Sequence, residues 1–286
     1  MIQITTSYVE NIITARPKDM HKGQAGRVLF ITGSKGMAGA AVLSARGALY
    51  SGAGLVKVSV PDELFMVLQI SVPEAMCINR EEAAKADLGI YDAICIGPGV
   101  GVSEESMRLI GRVIADYSGP LVIDADGINC LCEYDVNIEV FEQIRNREGT
   151  TVFTPHPGEA DRMLGAFGLE SWRVMGRETA AALLAEKTES IVLLKGAPTI
   201  IAAGGELFEN PTGNPGMATG GSGDVLSGII TSLLAQKQLT ASAVDRVCAA
   251  AFLHGLAGDI AAENIGEYGM TSADIADAVA AAFNAL

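Results

Sequence analysis

The chain is short of positive charge: 20 lysines and arginines stand against 34 aspartates and glutamates, a net charge of −14. That shortage excludes a sequence-independent grip on nucleic acid or on an anionic lipid surface, both of which need a field of basic groups. Any anion held here must be held by local backbone amides and a few placed bases. Cysteine is scarce and odd in number, with Cys77, Cys95, Cys130, Cys132 and Cys248 mostly in apolar segments. They read as reduced core residues. Cys130-Leu131-Cys132 lacks the two-residue spacer of zinc and redox pairs, and no second pair accompanies it, so a metal cluster is not expected. No apolar run reaches membrane-spanning length, and Met1-Ile2-Gln3-Ile4-Thr5 has neither the basic region nor the apolar core of a signal peptide. The expectation is a cytoplasmic protein without membrane or nucleic-acid partners. A Gly-x-x-x-x-Gly-Lys-Ser/Thr sequence is also missing, which leaves P-loop chemistry unsupported.

What is present is a large apolar reserve. Of 286 residues 49% are hydrophobic and 19% charged, enough for a substantial core and too apolar for extended disorder. Residues 1–20 are mixed and polar and read as a lead-in. From Arg27 onward strand-like and helix-like segments alternate, the pattern of a parallel sheet with helices on its faces. Strands are predicted at 28–31, 55–60, 93–96, 121–124, 152–154 and 191–195, with a helix over about 40–52 and a hairpin through 198–208. Beyond Gly220 the chain is mostly helical and rich in alanine. No repeat or linker divides it, so residues 1–286 are expected to form one domain.

The candidate chemistry lies in loops that follow the carboxyl ends of predicted strands, where open parallel sheets bind ligands. Gly220-Gly221-Ser222-Gly223-Asp224 is the most informative. Its glycines let the backbone approach a ligand closely, and the helix that follows presents unpaired amides to an anion. Asp224 stands where a carboxylate can take the proton of an attacking hydroxyl, although it could equally be a helix-start acid. Gly97-Pro98-Gly99-Val100-Gly101 offers a rigid wall free of side chains. Asp124-Ala125-Asp126-Gly127-Ile128-Asn129 sets carboxylates at a strand end, for a helix cap, a ligand hydroxyl or water on magnesium. In Thr154-Pro155-His156-Pro157-Gly158-Glu159 two prolines fix a loop that holds a histidine and a carboxylate; Glu159 could be only a first-turn helix acid. As a loop side chain His156 is expected to contribute little packing, whereas His254 reads as a satisfied core group. Lys195-Gly196 could steady a nucleotide phosphate. Gly33-x-x-Gly36-x-x-Gly39, with Asp62 after the next strand, hints at a dinucleotide site, but its spacing departs from Gly-x-Gly-x-x-Gly.

Taken together these segments resemble the ribokinase-like superfamily. Within it His-Lys-Gly at 21–23, Gly-Ser-x-x-Met-x-Gly-Ala at 33–40, Gly-Pro-Gly at 97–99, Asp-Ala-Asp-Gly-x-Asn at 124–129, Thr-Pro-His-Pro-Gly-Glu at 154–159, Lys-Gly at 195–196 and Asn-Pro-Thr-Gly-Asn at 210–214 resemble the ADP-dependent NAD(P)H-hydrate dehydratases. The resemblance implies a ribokinase-like α/β fold, with a mostly parallel central sheet and helices on both faces. It also implies a repair enzyme that returns the S epimer of hydrated NADH or NADPH to the usable cofactor while ADP becomes AMP and phosphate. Carried over by position, Asp224 with Gly221, Ser222 and Gly223 would be catalytic. Ala40, Gly101, His156 and Asp224 would contact the hydrated nucleotide; Lys195, Gly196, Ala197, Pro198, Thr199 and Gly223 would contact ADP. Mg²⁺ is the implied metal, with Glu159 its candidate ligand by spacing. A homo-oligomer, a homotetramer, is the implied assembly, and the epimerase domain fused at the amino terminus of some members is not expected here. The alternative is a ribokinase-like kinase of a vitamin precursor or sugar alcohol; a nicotinamide-dependent oxidoreductase and a non-catalytic nucleotide sensor are more distant ones.

Overall fold

The computed structural model describes residues 1–134 and 139–286. Its strands are β1 (Ile2–Gln3), β2 (Arg27–Ile31), β3 (Leu55–Ser59), β4 (Met76–Ile78), β5 (Ala93–Ile96), β6 (Leu121–Ile123), β7 (Thr151–Phe153), β8 (Ile191–Leu194), β9 (Thr199–Ala203) and β10 (Glu206–Asn210). The helices are α1 (Thr6–Glu10), α2 (Ala38–Tyr50), α3 (Phe65–Ser71), α4 (Arg80–Lys85), α5 (Glu104–Asp116), α6 (Asp126–Tyr134), α7 (Glu139–Arg145), α8 (Pro157–Ala166), α9 (Trp172–Met175), α10 (Arg177–Thr188), α11 (Ser222–Ala235), α12 (Ala243–Ile265) and α13 (Ser272–Asn284). All ten strands form one sheet in the order β1-β10-β9-β8-β7-β6-β5-β2-β3-β4. Only β9 runs against the others, since it pairs antiparallel with both β8 and β10 while the remaining pairs are parallel.

The short apolar runs become strands because both faces of the sheet are covered, so every side chain along them can be buried. Val28, Phe30 and Cys95 point into a core shared with α2, α11, α12 and α13. Their neighbours Leu29, Ile31, Ile94 and Ile96 point into a second core under α5, α6, α7, α8 and α10. The expected mostly parallel α/β architecture is therefore the one observed. From β2 the chain winds outward through β3 and β4, then returns to β5 and winds the other way. That reversal opens a crevice between the carboxyl ends of β2 and β5.

Two strands escaped the sequence reading. β4 has three residues and β1 has two, too few for any alternation to register. The opening segment, expected as a lead-in, adds an edge strand beside β10 and buries Ile4, Val9 and Ile12 in the first core. Burial of such side chains stabilises by about 1.5–3 kcal/mol each. The Tyr8 hydroxyl also donates to Asp245 on α12, which ties this segment down.

One helix pair fixes the position of the site. α2 and α11 cross in unusually close contact: a Cβ added at Gly228 would lie 2.2 Å from the Ser44 carbonyl oxygen, and one at Gly47 would lie 2.4 Å from that of Val225. Only glycine permits backbones to approach so nearly, and the contact seats α11 against β2, β5 and β6.

Candidate active site

α11 begins at the crevice. Gly221 supplies the turn into it with φ +95° and ψ −11°, a left-handed conformation that a side chain would strain, and no side chain caps the helix start. The first turn of a 14-residue helix thus turns the positive end of its dipole to the crevice, with Ser222 N 3.4 Å from the Thr219 carbonyl and Asp224 N donating to that of Gly221 at 3.0 Å. Ser272 Oγ donates to the Gly220 carbonyl at 2.6 Å and fastens the preceding loop. Ser222 Oγ lies 3.4 Å from His254 Nε2, and burial pushes that imidazole down to about 4, so it is neutral near pH 7.

Beside this helix start sits a buried charge cluster. Asp124, at the end of β6, accepts from Lys195 Nζ at 2.9 Å and from Ser227 Oγ at 2.7 Å. Lys195, at the end of β8, also stands 3.8 Å from Glu159 Oε2. Its ammonium would be only 3.3 Å from a Cβ at Gly223, which places it against the first turn of α11. Burial disfavours the Lys195 charge, but Asp124 and Glu159 outweigh it and raise its pKa, so the lysine is cationic. Asp224 is pushed up to about 7, first by burial and then by Asp124, with Lys195 opposing. A carboxyl that titrates near neutrality can take up a proton and return it, the property required of a general base.

The facing wall comes from the other loops. Gly33 N donates to the Pro98 carbonyl at 2.8 Å, closing the loop after β2 onto the loop after β5. A Cβ at Gly99 would come within 2.8 Å of the Ala40 methyl, and Gly101 N donates to Asp126 Oδ2 at 2.9 Å. Asp126 is therefore a clamp on the glycine loop as well as a first-turn acid of α6. Asp126 and Glu159 both add to the field on Asp224, which sets the loops that carry Gly101 and His156 near that carboxylate, while Ala40 lies in the first turn of α2 against Gly99.

His156 departs from expectation. It is the N-cap of α8: its Nδ1 accepts from Gly158 N at 3.0 Å and Glu159 N at 3.3 Å, while Glu159 Oε2 accepts from His156 N at 2.8 Å. This reciprocal box gives the side chain a structural share that a plain loop residue would lack. Half of the imidazole stays exposed. Burial, Lys195 and Arg162 all depress its pKa, so the ring is neutral at pH 7. Glu159 proves to be the box acid, with a pKa raised by burial against the pull of Lys195. Its Oε1 lies 3.2 Å from His156 Nε2, so both its oxygens have protein neighbours.

The loop Lys195–Thr199 continues from the charge cluster. Ala197–Pro198 is cis, and Thr199 Oγ1 donates to the Gly196 carbonyl at 3.0 Å. Among the described residues no group of three or more His, Cys, Asp or Glu side chains could hold a metal by itself. With the oxygens of Asp124 and Glu159 occupied by protein donors, the donor set suits a Mg²⁺ carried largely by phosphate oxygens and reached by Glu159 through water. Asp62 is exposed and opens a short 3₁₀ turn after β3.

Sequence reasoning left two residues, Ser227 and His254, out of the site and one pairing unseen. Asp124 was visible as a strand-end acid, but nothing in the chain near it signals that Lys195, 71 residues on, is its partner. Ser227 is one helical turn after Gly223, a spacing that could have placed it beneath the cradle. His254 sits in an alanine-rich stretch that gives no sign of contact with Ser222.

The fold and site define a ribokinase-like α/β protein, with an uncapped glycine-rich helix start beside a carboxylate at the switch point of the sheet. Residues 28–281 match the sequence model of the family described as NAD(P)H-hydrate dehydratase. The chain belongs to the NAD(P)H-hydrate dehydratase family. It is 34% identical to the ADP-dependent (S)-NAD(P)H-hydrate dehydratase of Enterococcus faecalis, over 91% of this chain and 85% of that protein. It is 37% identical to a bifunctional NAD(P)H-hydrate repair enzyme of Moorella thermoacetica, over 96% of this chain and 52% of the relative. The chain thus spans about half the length of the bifunctional relatives that it matches. A crystal structure of the ADP/ATP-dependent NAD(P)H-hydrate dehydratase from Bacillus subtilis, co-crystallised with ATP and Mg²⁺, superposes with a TM-score of 0.85 at 28% identity, covering 98% of this chain and 97% of that one. The small-molecule kinase alternative is not favoured by these likenesses.

Proposed function

We propose that this protein dehydrates the S epimer of hydrated NADH or NADPH in a reaction coupled to conversion of ADP to AMP and phosphate. The observation that carries the reading is Asp224, a carboxyl titrating at about 7 in the first turn of an uncapped helix, with cationic Lys195 beside it. Asp224 takes the proton of the ring hydroxyl as that oxygen attacks the terminal phosphorus of ADP, and the bond to the AMP oxygen breaks. The amides of Gly221, Ser222 and Gly223 hold the charge that develops on the phosphoryl oxygens. Hydroxide is a poor leaving group, whereas the phosphate so formed departs with its bonding pair as the ring nitrogen donates electrons, and loss of a proton from the adjacent carbon restores the dihydronicotinamide.

In this reading Lys195 through Thr199, with Gly223, bind the adenine nucleotide, and Ala40, Gly101 and His156 position the hydrated ring. Glu159 would hold Mg²⁺ through water, and the ion would supply neutralisation of the phosphate charge. A homotetramer in the cytoplasm belongs to the same proposal; no helix among the described residues is long and apolar enough to cross a membrane. Hydrated NADH incubated with the protein, ADP and Mg²⁺ should regain dihydronicotinamide absorbance, one AMP appearing for each NADH. Recovery at the same rate without any adenine nucleotide would overturn the proposal.

A further inference from the structure

The loop after β2 forms one wall of the crevice, and a cation from α4 holds its first residues. Arg80 opens α4 and reaches the carboxyl ends of β2 and β3. Its Nη2 donates to the Thr32 carbonyl at 2.9 Å and to the Gly33 carbonyl at 2.6 Å, and its Nη1 donates to the Ser59 carbonyl at 2.8 Å. Local sequence aims it there. Asn79 and Glu82 form a capping box, with Glu82 N donating to Asn79 Oδ1 at 2.8 Å and Asn79 N to Glu82 Oε2 at 2.8 Å, which fixes the turn from which Arg80 projects.

The charge is not explained by the helix that it begins. A cation in the first turn meets the positive end of the helix dipole. Burial works against it as well and lowers its pKa to about 10, so it stays cationic near pH 7. Among the described residues its hydrogen-bond partners are backbone carbonyls and the Ser59 hydroxyl, and Glu105 pulls on it only from a longer range. What the planar fork does fit is a set of carbonyls at two neighbouring strand ends. Gly33 has φ +69°, and its peptides are held on both sides: its carbonyl by Arg80 and its amide by the Pro98 carbonyl at 2.8 Å. From there the loop closes on itself, Met37 N donating to the Ser34 carbonyl at 2.8 Å and Ala40 N to that of Met37 at 3.3 Å. It meets the facing glycine loop at Ser34 and Ala40, which lie 3.7 Å and 2.8 Å from a Cβ placed at Gly101 and Gly99.

We infer that Arg80 is a positioning residue for the hydrated nucleotide: by holding the Gly33 carbonyl it sets the loop from Gly33 to Ala40 against Gly99 and Gly101. The inference rests on the proposed function, in which Ala40 and Gly101 touch that substrate. ADP is held elsewhere, at Lys195–Thr199 and the start of α11, so its binding does not depend on Arg80. Arg80 takes no part in the chemical step.

Steady-state kinetics and hydrogen exchange on wild type, Arg80→Ala and Arg80→Lys provide the test. Arg80→Ala should raise KM for hydrated NADH about tenfold, as expected for losing charge-assisted hydrogen bonds, with kcat and KM for ADP unchanged and Arg80→Lys in between. With no nucleotide present, the amides of residues 33–40 should exchange faster in Arg80→Ala than in wild type, and those of residues 220–226 at the same rate. An unchanged KM for hydrated NADH, or equal rises in KM for both nucleotides, would overturn the inference. Should Arg80→Ala fail to fold, Arg80→Lys decides by the same comparison. Failure of the proposed function would show separately, as absence of ADP-coupled turnover of hydrated NADH by wild type; equal exchange at residues 33–40 in wild type and variant would then overturn the Arg80 assignment by itself.

Discussion

Asp224 concentrates the chemistry of the site in one side chain, and its environment makes two separable predictions. Asparagine keeps its size but cannot accept the hydroxyl proton, so Asp224→Asn should lower single-turnover repair by about 10²–10⁴. ADP affinity should persist, because the anion cradle is backbone. Wild-type turnover should rise with pH through about 7 as the carboxyl ionises, and the residual rate of the variant should lack that rise. Stability moves the other way. The folded carboxyl ionises near 7 and the unfolded one near its ordinary 3.8, so ionisation in the folded state costs stability as pH climbs from about 4 through about 7. Asp224→Asn should therefore melt above wild type at about pH 8, with the gap closing by about pH 4; calorimetry across that range measures it. A second residue carries both structural and binding duties. His156→Ala removes the cap of α8, which should cost about 1 kcal/mol and lower the melting temperature by roughly 2–4 °C. It should also raise KM for the hydrated nucleotide while leaving KM for ADP unchanged, which steady-state kinetics on each substrate can separate.

At the scale of elements, the site depends on where α11 starts, and that depends on its contact with α2. A methyl at position 228 meets the Ser44 carbonyl at 2.2 Å, far inside contact distance, so the two helices must part. Gly228→Ala should cost about 3 kcal/mol by overpacking and lower ADP affinity, since the displaced helix carries the cradle with it. Urea unfolding and ADP titration on the same preparation test both effects; an unchanged midpoint would mean that the contact tolerates a side chain. The amino-terminal elements make a milder contribution. β1 and α1 cover the outer edge beyond β10 and lie away from the crevice, so they stabilise the fold without shaping the chemistry.

For the molecule as a whole, the sequence was most legible where both faces of a strand are buried. Val28–Ile31, Ala93–Ile96 and Ile191–Leu194 are short apolar runs, and each is a central strand within a residue of its expected limits. Edge elements were illegible because β1 and β4 carry too few residues to alternate. In the site, the loops were readable because glycine and proline mark them in sequence. Pairings across the sheet were not, since Lys195 with Asp124 and Ser222 with His254 join residues whose proximity only the winding of the chain creates. His156 shows the same limit locally: its loop was recognised, but a histidine acting as helix cap is outside the usual Ser, Thr, Asp and Asn signature.

The account holds that a helix start built for phosphate serves a dehydration because the ring hydroxyl is phosphorylated before it leaves. The oxygen itself can be followed. Hydrated NADH whose ring hydroxyl carries heavy oxygen should, in a single turnover with ADP and Mg²⁺, deliver that oxygen into the inorganic phosphate released, one labelled phosphate for each NADH formed. Unlabelled phosphate, with the heavy oxygen recovered in water, would mean that ADP hydrolysis and dehydration are separate events and would contradict the account.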